Sequence, residues 1–139
     1  MRATADAPTP AVARDRPIGA HGGDEAPYLA FDVFDDWGIR ALATTRAAGS
    51  FGTAGDEPVG VVMGRWAALQ AHCFPPDGDG RFATARQVHG AEVLVHDGEW
   101  RGWLRGPAAD GHVALARGTA CAVTVADCVP VYVAHPSGA

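Results

Sequence analysis

The sequence predicts an α+β domain, a mixed β-sheet with covering helices. Three observations carry that expectation. Residues 28–45 hold two short apolar stretches suited to strands. A stripe of helical period follows over 59–73. Beyond residue 81 the period falls to two, and near-continuous apolar runs close the chain.

Residues 1–27 are expected to be a disordered leader. They are rich in Ala, Pro, Thr, Arg and Asp and end in Gly22-Gly23-Asp24-Glu25-Ala26-Pro27. Without a period they bury too little surface to offset the entropy of ordering. The folded part is expected over 28–139. Residues 28–34 are apolar with acidic interruptions, and 39–45 follow Gly38 and end in β-branched side chains, so each reads as a strand. A glycine-rich loop covers 47–55. Asp56-Glu57-Pro58 then marks a helix start, with acids near the N-terminus and proline in the first turn. Val59, Val62, Met63, Trp66, Leu69 and Cys73 fall on one helical face, and Phe74-Pro75-Pro76 ends the helix.

Residues 82–88 and 91–96 read as strands joined at His89-Gly90, whereas 97–107 are polar and glycine-containing and read as a loop. Residues 121–125 and 129–134 are expected to be strands buried on both faces, joined by the turn Ala126-Asp127-Cys128, with Pro130 holding Val129 extended. The sequence stops at Ser137-Gly138-Ala139, directly after this pair, and buried strands need partners on both edges, so the domain is expected to be incomplete.

Composition removes several functional classes. The chain has 139 residues, 16 acidic and 11 basic, and a formal net charge of −5. That length fits one domain or part of one. No apolar run reaches the roughly 20 residues of a membrane helix, and the N-terminus lacks the apolar segment of a secretory signal. No arginine cluster marks a nucleic-acid footprint. Three cysteines without C-x-x-C spacing do not form a disulfide framework, so reduced thiols and a cytoplasmic location are expected.

Two residues are the main candidates for chemistry. Cys128 sits at a strand-to-strand turn beside Asp127, where its thiolate could hold a metal or act as a nucleophile; the other reading is a buried cysteine packing as a small hydrophobe. His89 sits where a strand ends at a glycine and could be a ligand or base, or a half-exposed strand-end residue. Arg46, at a strand end beside the glycine loop, could hold a phosphate or carboxylate bidentately, or be a solvated charge. His21, His72, His96, His112 and His135 read as leader, surface or strand-end residues. The glycine loop is neither a P-loop nor a dinucleotide fingerprint.

Taken together, Thr44-Thr45-Arg46, Gln87-Val88-His89-Gly90-Ala91-Glu92-Val93, Ala109-Asp110-Gly111 and residues 118–131, with Ala126-Asp127-Cys128-Val129-Pro130, resemble the multicopper polyphenol oxidase (laccase-domain) family. Its members are also described as purine nucleoside phosphorylases with adenosine deaminase activity. The resemblance runs from about residue 31 onward and implies a layered α/β architecture. It implies that His89 and Cys128 are two catalytic ligands of one zinc, with Arg46 binding phosphate of a purine nucleoside and phosphate pair. The third ligand would lie in an H-A-G-W-R-G motif absent from these 139 residues, which would make the chain the N-terminal part of such a domain. A thiolate and two imidazoles would leave zinc one open position, as in catalytic sites. Copper fits less well, because a blue-copper site takes two histidines and a cysteine and only His89 and Cys128 are counted toward it. The loop 51–55 and Gly64-Arg65 depart from the family pattern, which carries asparagines in both places.

Two other readings stay open on the residues alone. One is a cysteine hydrolase with Cys128 as nucleophile, His89 as base and Asp127 or Asp110 orienting it. The other is a non-catalytic half-domain.

Overall fold

The computed structural model describes residues 15–18, 26–74 and 78–136, the first stretch as backbone alone. The chain forms two compact units, residues 1–47 and 48–139. The first contains an antiparallel sheet of β1 (Asp15–Ile18), β2 (Tyr28–Phe31) and β3 (Ala41–Thr44), in that spatial order. Tyr28 pairs with both Ile18 and Thr44, and Phe31 with both Asp15 and Ala41. β1 falls within the stretch expected as a leader and departs from that expectation; residues 1–14 and 19–25 lie outside the described residues. The strand expected over 28–34 stops at Phe31. Asp32, Asp35 and Asp36 disfavour extended pairing, and Asp32–Trp37 coils into a 3-10 helix instead. Gly38 ends it in the left-handed region, its N–H donating to the Asp35 carbonyl.

The second unit opens with helix α1 (Val59–Cys73). Pro58 caps it without a side-chain hydrogen bond. Of the two acids ahead of the helix, Glu57 serves another purpose. Glu57 grips Arg65 through two hydrogen bonds of 2.6 and 2.7 Å, and the same guanidinium donates to the Ser50 carbonyl at 2.8 Å, tying the glycine loop to the helix. Gly49 lies against that guanidinium at φ 78°, where a side chain would collide with it. Of the expected helical face, Val62, Trp66 and Leu69 are buried, while Val59 and Met63 are exposed.

Five strands follow: β4 (Arg81–Arg86), β5 (Val93–His96), β6 (Gly102–Ala108), β7 (Gly111–Ala114) and β8 (Thr119–Cys121). They alternate between two sheets. β6, β4 and β8 form a parallel sheet with β4 at its centre, and β5 pairs with β7 in parallel. Parallel neighbours need a crossover, and here each crossover contributes a strand to the other sheet. These parallel and antiparallel sheets, with one α-helix among the described residues, constitute the α+β fold that the sequence predicts.

The core sits where α1 meets β4 and β6. Trp66 lies 5.0 Å from Phe51, 5.9 Å from Phe82 and 5.5 Å from Trp103, ring centre to ring centre. Its indole N–H donates to the Phe51 carbonyl, and that of Trp103 donates to the Thr84 hydroxyl, both at 3.0 Å. Such burial satisfies the polar end of each ring while its apolar body packs. Phe82 is 1 % exposed and Ala83 is sealed completely, as the central strand requires.

Several expected boundaries shift. β6 runs through the stretch expected as a loop, because β4 supplies its pairing and Trp103 its core contact. Its Pro107 is accommodated at a bulge: Ala85 pairs with Gly106 and Arg86 with Ala108, so the missing N–H is not needed for the ladder. The strand expected over 121–125 lies earlier, at Thr119–Cys121, and 129–134 is not a strand. Val129, Val131 and Val133 are exposed, the last at 90 %. β8 is one of the two edges of its sheet, and among the described residues no strand pairs with its outer side. No helix among the described residues is long and apolar enough to cross a membrane.

Truncating Trp66 to alanine removes the ring that joins loop, helix and sheet. The expected loss is about 3–5 kcal/mol, read as a lower midpoint in urea unfolding of the 139-residue chain.

Candidate functional site

The geometry of the site begins at the end of β4. Gln87-Val88-His89-Gly90 leaves the strand and turns back, with His89 at φ 56°. It is the one non-glycine residue at positive φ among the described residues. That conformation is uncommon and needs outside support. Asp110, on the turn between β6 and β7, provides it. Its Oδ1 accepts the N–H groups of Val88 at 3.1 Å and His89 at 2.9 Å, and its Oδ2 accepts that of Gly90 at 2.8 Å. Three successive amides thus converge on one carboxylate. Backbone bonds from Asp110 and Gly111 to the Glu92 carbonyl, and from Ala109 to that of Arg86, close both sides of the loop. The Gly90 amide foremost, then those of Val88 and His89, holds the Asp110 carboxyl below its ordinary value. Asp110 therefore orients the backbone beneath His89, and the hydrogen bonds it makes go to that backbone and not to the imidazole ring, as a hydrolase triad through Asp110 would need.

A second clamp reaches the segment that carries Cys128. The Gln87 side chain donates to the Thr124 carbonyl at 2.8 Å and accepts from the Thr124 amide at 2.7 Å and hydroxyl at 2.6 Å. It pairs with Thr124 much as a strand residue would. His89 follows this clamp by two residues on one side, and Cys128 follows it by four on the other. Both side chains are exposed, so Cys128 is not the small buried hydrophobe that one sequence reading allows. Arg46 belongs to the first unit. It opens a 3-10 turn, Arg46–Ala48, is exposed, and forms no ion pair among the described residues. The corner before it is locked by Thr45, whose hydroxyl donates to the Ala26 carbonyl at 2.6 Å and accepts the Ala47 amide at 3.2 Å.

The fold also assembles donors that sequence reading placed apart. His96 Nε2 lies 2.9 Å from His112 Nδ1, with the rings stacked at 5.2 Å. Cys121 joins them, and the three ligand atoms lie within 4.8 Å of one another. No other group of three or more His, Cys, Asp or Glu donors converges among the described residues. His96 ends β5 but is only 4 % exposed, so of its reading as a surface or strand-end residue the strand end holds and the surface does not. The β5–β7 register explains the meeting: Leu94 faces His112, so His96, two residues on, shares that face. Burial, and then the neighbouring His96, lowers the affinity of His112 for a proton, favouring the neutral ring. Desolvation pushes the Cys121 thiol up to about 11 although the residue as a whole is exposed. Nothing in the linear spacing of residues 96, 112 and 121 signals this cluster; the one available hint was a histidine ending an alternating apolar run.

The Asp110 clamp has a defined pH dependence. Because its carboxyl is held below the ordinary value of 3.8, its contribution is complete above that value and is lost as pH falls through the lowered one. The amide resonances of Val88, His89 and Gly90 are expected to shift together with a midpoint below 3.8. Asp110→Asn should abolish that transition and speed exchange of the three amides. Gln87→Ala should cost on the order of 1–2 kcal/mol, with loss of protection at the Thr124 amide in hydrogen exchange and a lower Tm.

Comparison with known proteins agrees with these motifs. Residues 45–139 match the family described as multi-copper polyphenol oxidoreductase laccase. Among curated proteins, the purine nucleoside phosphorylase SCO2081 of Streptomyces coelicolor is 36% identical over 123 residues, covering 88% of this chain and 46% of the relative. The purine nucleoside phosphorylase ORF3 of Streptomyces griseus is 36% identical over 106 residues, covering 76% and 42%. The chain thus spans less than half the length of the curated relatives it matches. No solved structure matches it. The match over 45–139, with the two relatives, places this chain in the multi-copper polyphenol oxidoreductase laccase family.

Proposed function

We propose that residues 28–139 form the N-terminal part of a zinc-dependent purine nucleoside phosphorylase that also deaminates adenosine, working in the cytoplasm. The observation that carries this reading is the pair of clamps, Asp110 beneath His89 and Gln87 on Thr124, which hold two exposed potential ligands on braced loops. The names of the two Streptomyces relatives support the substrate class.

The donor chemistry fits zinc as far as it extends. One imidazole and one thiol supply two of the three protein donors that a catalytic zinc takes. In this reading the third comes from length that the relatives have and the matched segment does not. Zinc held there would supply a Lewis acid beside the substrate. The chain's own residues do the rest. Asp110 fixes the backbone that carries His89, so little backbone ordering entropy is lost on binding. Arg46 holds phosphate through paired hydrogen bonds. In phosphorolysis a phosphate oxygen attacks C1′ of the nucleoside as the bond from C1′ to the purine nitrogen breaks. The products are ribose 1-phosphate and the purine, which takes up a proton. In deamination, water adds at C6 of adenosine and ammonia leaves, giving inosine.

The test uses the 139-residue chain alone and the chain completed with the unmatched length of the Streptomyces coelicolor relative. The expected outcome is no turnover above background for the chain alone. The completed protein should release adenine and ribose 1-phosphate from adenosine and phosphate, and His89→Ala or Cys128→Ser should lower kcat by at least about 100-fold. Full activity in either variant would overturn the roles given to these two residues.

A further inference from the structure

We infer that His96, His112 and Cys121 form a second metal site, for a borderline-soft divalent ion of the zinc type, composed of residues separate from His89 and Cys128. The inference does not depend on the proposed activity. It starts from the donors: two imidazoles and a thiol with their ligand atoms within 4.8 Å of one another, already converged in the protein alone. This is a complete set of two histidines and one cysteine, the mixture of nitrogen and sulfur donors that zinc and its neighbours prefer.

The site is built by tertiary structure. His96 and His112 stand on one face of the β5–β7 pair, and Cys121 ends β8 in the other sheet. Tetrahedral zinc with nitrogen ligands at about 2.05 Å sets them roughly 3.4 Å apart. The two ring nitrogens stand 2.9 Å apart and share a hydrogen bond, so an opening of about 0.5 Å lets an ion replace the shared proton. His96 is buried and braced edge-on by Trp100 at 5.8 Å, which fixes its ring.

The surroundings are short of partners. Among the described residues, two buried side-chain polar atoms have no hydrogen bond, His112 Nε2 and Trp100 Nε1. Both belong to rings of this cluster or directly against it. Buried polar groups are nearly always paired, and each exception calls for a reason. A polar pocket prepared for an ion accounts for the concentration of both exceptions here. An ion at this place fastens the β5–β7 pair to β8, an edge strand with no partner on its outer side among the described residues. Its role is structural support of the edge on which the Cys128 segment continues.

The test titrates Co2+ into the reduced, chelator-stripped 139-residue chain, then displaces it with Zn2+. One equivalent should bind with a thiolate-to-cobalt charge-transfer band. The double variant His89→Ala/Cys128→Ser should keep that band and its midpoint. Cys121→Ser should lose the band, with zinc affinity reduced by more than about 100-fold, beyond the range of outer-shell substitutions. Saturating zinc should raise the Tm of the wild type and of the double variant, and leave that of Cys121→Ser unmoved. Absence of both the band and the Tm shift in the wild type overturns the inference, whatever the folding of the variants. So does a band that survives Cys121→Ser or disappears in the double variant.

Discussion

The carboxylate of Asp110 is the constraint on which the His89 loop depends. A histidine does not hold a left-handed backbone conformation without help, and a loop leaving the central strand of a parallel sheet exposes amides that pairing no longer satisfies. One side chain answers both demands, because three consecutive N–H groups turn toward it. The charge makes these bonds stronger than neutral ones. This explains why Gln87-Val88-His89-Gly90 and Ala109-Asp110-Gly111 occur together: the second motif is the mould in which the first is cast.

The same economy appears in Gln87. A strand that ends must release its neighbour, yet the segment leading to Cys128 is held beside the end of β4. The Gln87 amide holds it there, beyond the last β4–β8 residue pair, Ala83 with Cys121, using a side chain in place of backbone. Beneath both clamps lies the aromatic core of Phe51, Trp66, Phe82 and Trp103, which seats α1 on β4 and β6. Rigid packing there gives the loops a fixed frame, as a site on loops requires.

Alternation of strands between two sheets has a chemical consequence. Residues on β5, β7 and β8 that are far apart along the chain are brought to one point, so donors from both sheets can meet. His96, His112 and Cys121 do so. The His89 and Cys128 segments meet by a different route, through side-chain clamps at loop ends. His89 and Cys128 thus stand exposed on clamped loops, whereas His96, His112 and Cys121 converge between the two sheets.

The amino-acid sequence by itself determined the α+β class, helix α1 with its buried Val62, Trp66 and Leu69, strands β3 to β5 to within a few residues, and the family through its ordered motifs. These are local or linear properties: periodicity, turn residues and short motifs are read without knowing what lies opposite. Tertiary structure alone decided the rest. β6 forms because β4 offers it a partner and a bulge for Pro107, against its own glycine-rich composition. Residues 129–134 stay open because apolar character does not make a strand without a neighbour to accept its hydrogen bonds. The His96, His112 and Cys121 cluster depends on register and on packing between sheets, and neither quantity is encoded in the spacing of those three residues.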